Sequence, residues 1–176
     1  MTQGQLSRKD ETASMILSAF TLFHVALSLI GIGTGFIVVY GLLTAKQWSG
    51  WTRWFLVTTV LTSVTGFLFP VHRFLPSHAV GILSLILLAL AIFALYSKHL
   101  AGGWRRVYAI NVVLALYLNF FVLIVQLFEK VPALKALAPT QTEMPFKVTQ
   151  LVALTVFVLL TIFSAVRFRV ESVRAV

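Results

Sequence analysis

Cysteine is absent from this 176-residue chain. Disulfides, thiolate nucleophiles, Fe–S clusters and thiolate metal sites are absent with it. Charge is nearly as scarce. Charged residues make up 11% of the sequence, against about 25% in a soluble domain. Together with 59% hydrophobic residues, that deficit excludes an ordinary water-soluble fold and excludes a disordered chain. Acids are scarcest of all, five against fourteen lysines and arginines. None lies inside the long apolar runs, so a proton pump of the usual Asp/Glu type has no carboxylate to use. There is no Walker loop, no HExxH and no Ser-His-Asp context. What remains reads as a non-enzymatic protein with no catalytic set.

What the chain has in abundance is uninterrupted apolar sequence, with a mean hydropathy of +0.96. Asp, Glu, Lys and Arg are missing from Thr12 to Ala45, Trp54 to His72, Phe74 to Ser97, Val107 to Phe128 and Val148 to Val166. A helix needs about 20 residues to cross about 30 Å of hydrocarbon. In lipid every backbone amide must be satisfied within the segment or in a closed barrel. The alternating segments of about 10 residues that mark a barrel are missing. The sequence therefore predicts an all-α integral membrane protein: one domain over 1–176, a bundle of five transmembrane helices near 14–43, 51–70, 78–97, 106–128 and 147–167. The first run far exceeds the roughly 7–15 residues of a signal-peptide core and reads as a retained span.

Five spans put the termini on opposite sides. One side, with the N-terminal tail and the 71–77 and 129–146 connections, carries Arg8, Lys9, Arg73, Lys130, Lys135 and Lys147. The other carries Lys46, Arg53, Lys98, Arg105, Arg106, Arg167, Arg169 and Arg174. The excess assigns the second side, and the C-terminus, to the cytoplasm, with the N-terminus outside. Trp48, Trp51, Trp54 and Trp104 all fall on that second side, where indole rings suit the headgroup level. Net charge is +9, but it sits in short loops and forms no stripe. Anionic lipid headgroups, not nucleic acid, are the partners this implies. A membrane-protein partner or a second copy of the chain is also open.

Small residues mark the faces that should meet. Ser14, Ser18, Thr21, Ser28, Gly31 and Gly35 form a stripe on the first helix, with Gly31 and Gly35 as a GxxxG. Thr58, Thr62, Thr65 and Gly66 answer on the second, so these two helices are expected to pack closely. The third, nearly all Leu, Ile and Ala after Ser84, is the expected lipid-facing helix. The fourth is polar along Tyr108, Ala115, Asn119 and Gln126. A primary amide at Asn119, mid-membrane, should face the bundle interior, as structural glue or as a cavity lining. Gln150, near the start of the last helix, is placed to reach the same end as Gln126.

Four histidines carry most of the remaining chemistry. His24 lies about 13 Å deep from its end of the first helix. Either it is a group poised to titrate near neutral pH, or it is a neutral packing residue satisfied by Ser28 or by threonines of the second helix. His72 and His78 flank Pro76 on the same side. A bis-histidine haem would need facing ligands at matched depth, which no pair offers plainly. His72, His78 and Glu143 are the alternative metal set. In the longest loop, Pro132 opens a short helix over ALKALA. Thr140 and Glu143 fit a Thr-x-x-Glu capping box, although Pro145 argues for a later helix start.

The strings TGFLFP (65–70), LPSH (75–78), LYLNFFVLIVQ (116–126) and ALAPTQTE (136–143), followed by Pro145-Phe146, resemble a family of small bacterial inner-membrane proteins with no assigned activity. The resemblance spans roughly 55–165 and implies a bacterial inner membrane; it supplies no catalytic residue and no cofactor. The leading expectation is a protein that binds a lipid-like ligand or supports a partner membrane complex, through His24, Asn119, Gln126, His72, His78 and Glu143. The alternatives are a quinone-, haem- or metal-binding redox protein and a small-solute transporter.

Overall fold

The computed structural model describes the backbone of residues 3–69 and 76–168, and the side chains of 11–12, 14–69 and 77–168. His72 and most of the connection holding it lie outside the described residues. The elements are α1 (Gln3–Leu43), α2 (Ser49–Gly66), α3 (Pro76–Ile92) with a π-helical turn at Phe93–Ser97, α4 (Trp104–Lys130), α5 (Pro132–Leu137) and α6 (Met144–Arg167). No strand occurs among the described residues. Among the described residues four stretches are long and apolar enough to cross a membrane: Ser14–Leu43, Ser77–Ser97, Trp104–Lys130 and Met144–Arg167. They match four of the five expected spans within a few residues. The fifth, α2, carries five threonines, two serines and Arg53 in eighteen residues, and its composition falls outside that group.

The surface is the reverse of a soluble protein's. Buried positions include Thr34, Thr52, Thr58, Thr59, Thr62, Ser63, Thr65, Ser84, Asn111 and Asn119, while leucine, isoleucine, valine and phenylalanine crowd the exposed faces. This fits a multi-pass membrane protein, whose outer solvent is hydrocarbon. α6 shows it most strongly. Only Ala153, Phe157 and Ser164 are buried along it, so α6, more than the expected α3, is the helix most open to lipid.

Within the bundle α1 lies along α2, α2 along α3, α3 along α4 and α4 along α1, closing a ring of four; α6 packs outside it on α4 and α1. The expected α1–α2 contact is made at the GxxxG. A Cβ on Gly31 would sit 3.2 Å from the hydroxyls of both Thr58 and Thr59. One on Gly35 would sit 2.6 Å from Leu116 Cδ1 and 2.9 Å from Phe55 Cε2. Two small residues thus bring α1 against α2 and α4, where van der Waals contact supplies the attraction that the hydrophobic effect cannot supply in lipid. Phe55, Val112, Val113 and Leu116 are fully buried at the centre. Phe157 anchors α6 by ring contacts of 5.5 Å to Tyr117 and to Phe120.

The helix ends are closed by backbone chemistry. Lys46 N–H returns to the Gly41 carbonyl at 2.8 Å, with Ala45 in the left-handed region. After the π-helical turn, His99 and Leu100 also take positive φ, and Leu100 N–H reaches the Ala94 carbonyl at 3.0 Å. Lys98 lies over the rings of Phe93 and Trp104 at 5.4 and 5.6 Å. Pro132 opens α5 in its first turn, as the sequence implies.

Candidate functional site

The ring of four helices leaves a cavity of about 100 Å³ where α2 ends and α3 begins. His24 and Ser28 reach it from α1, Thr62, Ser63 and Gly66 from α2, Ser77, His78 and Ser84 from α3, and Leu118, Asn119 and Val122 from α4. For scale, an engineered cavity of about 150 Å³ admits benzene. This one has room for a small headgroup or a few waters, and hydroxyl, imidazole and amide groups share its wall with apolar side chains.

His24 is held in place by two contacts. Its Nδ1 lies 2.8 Å from Thr65 Oγ1, and its ring meets Phe69 edge-on at 5.2 Å. The Thr65 hydroxyl is itself 2.7 Å from the Leu61 carbonyl, one turn back. A carbonyl only accepts, so the single hydroxyl proton goes to Leu61. On that assignment Thr65 accepts from His24, the ring proton sits on Nδ1, and Nε2 keeps a lone pair. Across the cavity His78 stacks on Phe67 at 5.6 Å.

Most polar groups inside the bundle are paired. Thr58 and Ser63 donate to the carbonyls of Trp54 and Thr59. Thr52 meets the Tyr108 hydroxyl at 3.4 Å, Asn111 donates to the Val107 carbonyl at 2.7 Å, and Ser63 and Ser84 lie 3.2 Å apart. The exceptions cluster. Thr59 Oγ1, Thr62 Oγ1 and Asn119 Nδ2 are buried without any partner. Thr62 and Asn119 line the cavity, 7% and 8% exposed. Two further unpartnered atoms, Gln150 Oε1 and Ser164 Oγ, lie on α6 and do not line it.

Of the six residues singled out from sequence, the structure brings His24, Asn119 and His78 together at this cavity. His72 lies outside the described residues. Gln126 is exposed and does not line the cavity; it lies two helical turns, about 10 Å, beyond Asn119 towards the end of α4. Gln150 donates instead to the Phe121 carbonyl at 3.3 Å. Glu143 also stands apart. Its carboxylate accepts from the Thr140 hydroxyl at 2.8 Å and from the backbone N–H of Thr140 and Thr142 at 3.2 and 3.0 Å. This is the reciprocal arm of a capping box, closing a turn; α6 itself begins at Met144. Desolvation raises the Glu143 carboxyl, but the Thr140 hydroxyl and the backbone donors of Glu143, Thr140 and Thr142 hold it below its ordinary value. Among the described residues no group of three His, Asp or Glu side chains is placed to hold a metal ion.

Thr62, Ser63 and Ser84 are the site residues the sequence did not single out as binding groups. Threonine in a membrane helix is usually packing or back-bonding, and only the missing partner of Thr62 distinguishes it from Thr58. No protein-family model matches the chain, and neither curated proteins nor solved structures yield a match.

Proposed function

We propose that the chain is a five-helix protein of a bacterial inner membrane that binds a lipid-like ligand, seating a small neutral polar group among α1–α4. One observation carries this reading: the buried Asn119 amide and Thr62 hydroxyl face a cavity with nothing to bond. Each unpaired buried group costs about 1–3 kcal/mol. A bound headgroup recovers that cost. Among the described residues no Lys, Arg, Asp or Glu lines the cavity, so these residues offer a charged headgroup no counter-charge and suit a neutral one.

The reading requires α2 to cross as the fifth span. Ser49 and Arg53 are exposed near its start, and beyond them its exposed face, Trp54, Val57, Leu61 and Val64, is apolar; eighteen residues rise about 27 Å. The native absence of cysteine allows a direct test with Lys46→Cys and Ala101→Cys. If α2 crosses, both label from one side of the membrane; labelling from opposite sides removes the fifth span. For the ligand, wild type and Thr62→Val/Asn119→Leu protein are purified in discs of native lipid and taken through detergent exchange. Mass spectrometry should find an amphiphile retained by wild type and lost from the variant. Identical lipid complements in the two would overturn the reading.

A further inference from the structure

The tautomer of His24 says more about what the cavity takes. We infer that the group received is a hydroxyl, on a neutral amphiphile, which donates to His24 Nε2 and accepts from Asn119 or Thr62. This rests on the lipid-like reading above and narrows it to one chemistry.

The argument begins at Leu61. Its carbonyl takes the Thr65 proton at 2.7 Å, Thr65 takes the His24 Nδ1 proton at 2.8 Å, and the imidazole presents a lone pair as its remaining polar atom. Among the described residues no carboxylate lines the cavity to balance an imidazolium, so none of them favours a second ring proton. A ligand meeting His24 must therefore bring a donor. Asn119 Nδ2 and Thr62 Oγ1 carry protons with no acceptor, so the same ligand must also bring an acceptor. An ester or quinone carbonyl satisfies only the second demand. An ammonium satisfies only the first and lacks a counter-charge. A hydroxyl meets both with one oxygen, and the cavity's size suits such a group with its adjoining carbons.

Hydroxyls of this kind come from two sources in a membrane, the free alcohol of a diacylglycerol and the phenolic head of a quinol. Two matched pairs of probes separate them: dioleoylglycerol against its methyl ether, and decylubiquinol, kept reduced, against decylubiquinone. Affinity for the full-length protein is read in lipid discs by native mass spectrometry. In one pair or the other, the hydroxyl form should bind about tenfold tighter, the factor that corresponds to ~1.4 kcal/mol. The pair that discriminates identifies the source. His24→Leu should abolish the discrimination, and His24→Gln, whose amide oxygen can accept, should restore part of it. Asn119→Leu should weaken both members of a pair together. Capped or oxidised members binding as well as their hydroxyl partners would overturn the hydroxyl assignment while leaving a lipid-binding cavity in place. No specific binding by any of the four probes, with no co-purifying amphiphile, would overturn both readings.

Discussion

Gly35→Ala tests the packing on which the whole ring depends. The added methyl would lie 2.6 Å from Leu116 Cδ1 and 2.9 and 3.0 Å from the Phe55 ring. Both neighbours are fully buried, so neither can swing clear. Overpacking of this kind costs about 1–3 kcal/mol. Alanine also gains about 1 kcal/mol of helix propensity over glycine, which blurs the result for this variant alone. Gly33 supplies the control. It lies two residues away in the same helix, and a Cβ there meets nothing within 4 Å. Gly33→Ala gains the propensity without the clash, so the difference between the variants isolates the contact at about 1–3 kcal/mol. Reversible unfolding in mixed micelles, followed through the indoles of Trp48, Trp51, Trp54 and Trp104, measures that difference. Equal stability of the two variants would refute the close approach of α1 to α2 and α4.

Gly41→Ala should cost more than Gly35→Ala in the same assay, because its methyl would fall 2.8 Å from the Lys46 carbonyl oxygen, and backbone yields less readily than a side-chain tip. Thr62→Val should stabilise the ligand-free protein by about 1 kcal/mol, since an unpaired buried hydroxyl gives way to a methyl of similar shape; a loss of stability would mean that Thr62 has a partner after all. The Glu143 turn should weaken in acid. Its folded carboxyl sits below the ordinary value of 4.5, so its contribution is fully present above that value and fades as pH falls through the lower folded one. The protection factors of the Thr140 and Thr142 amides, exchange corrected for its intrinsic pH dependence, should fall over that range in wild type and stay level in Glu143→Gln. Lys98→Met should cost about 0.5–1 kcal/mol through the lost contacts with Phe93 and Trp104, and an unchanged stability would make those contacts incidental.

Much of this architecture was legible because lipid constrains a sequence so tightly. Charges end the apolar runs, and the runs at 78–97 and 147–167 became Ser77–Ser97 and Met144–Arg167. The GxxxG named its own neighbours, since only small residues permit such an approach. His24 and Asn119 were legible as inward-facing residues because a ring nitrogen and an amide inside a span must face protein, and both line the cavity. Gln126 was misleading for a geometric reason. Seven residues return to nearly the same face of the helix but lie about 10 Å further along it, and near the end of α4 that step carries Gln126 past the cavity to an exposed position. Glu143 was legible as a capping residue and less so as a ligand, because a carboxylate already accepting three hydrogen bonds has little left to offer. The contrast between α3 and α6 depended on which helix joins the ring, which composition does not encode.

If α2 crosses as proposed, average hydropathy and membrane residence diverge on it. An average counts residues; lipid senses only the outward face. On α2 Ser49 and Arg53 are exposed near the start, and beyond them that face is Trp54, Val57, Leu61 and Val64; the five threonines and Ser63, which lower the average, turn inward. They do not weigh equally there. Thr58, Ser63 and Thr65 bond carbonyls one turn back, and Thr52 meets Tyr108, so these four cost little in a low-dielectric interior. Thr59 and Thr62 do neither. On α4, Asn111 likewise bonds its own helix at Val107, whereas the Asn119 amide nitrogen has no partner. If the polar stripe served only to knit helices together, unpaired atoms should be scattered along it. Instead those of α2 and α4 gather at one level, around Gly31 and the cavity beside His24. Further along, the fully buried side chains of Phe55 and Leu116 close on Gly35. Unpaired donors gathered at one cavity are suited to holding a group, and a path for solute past Gly35 would require the buried Phe55 and Leu116 side chains to part.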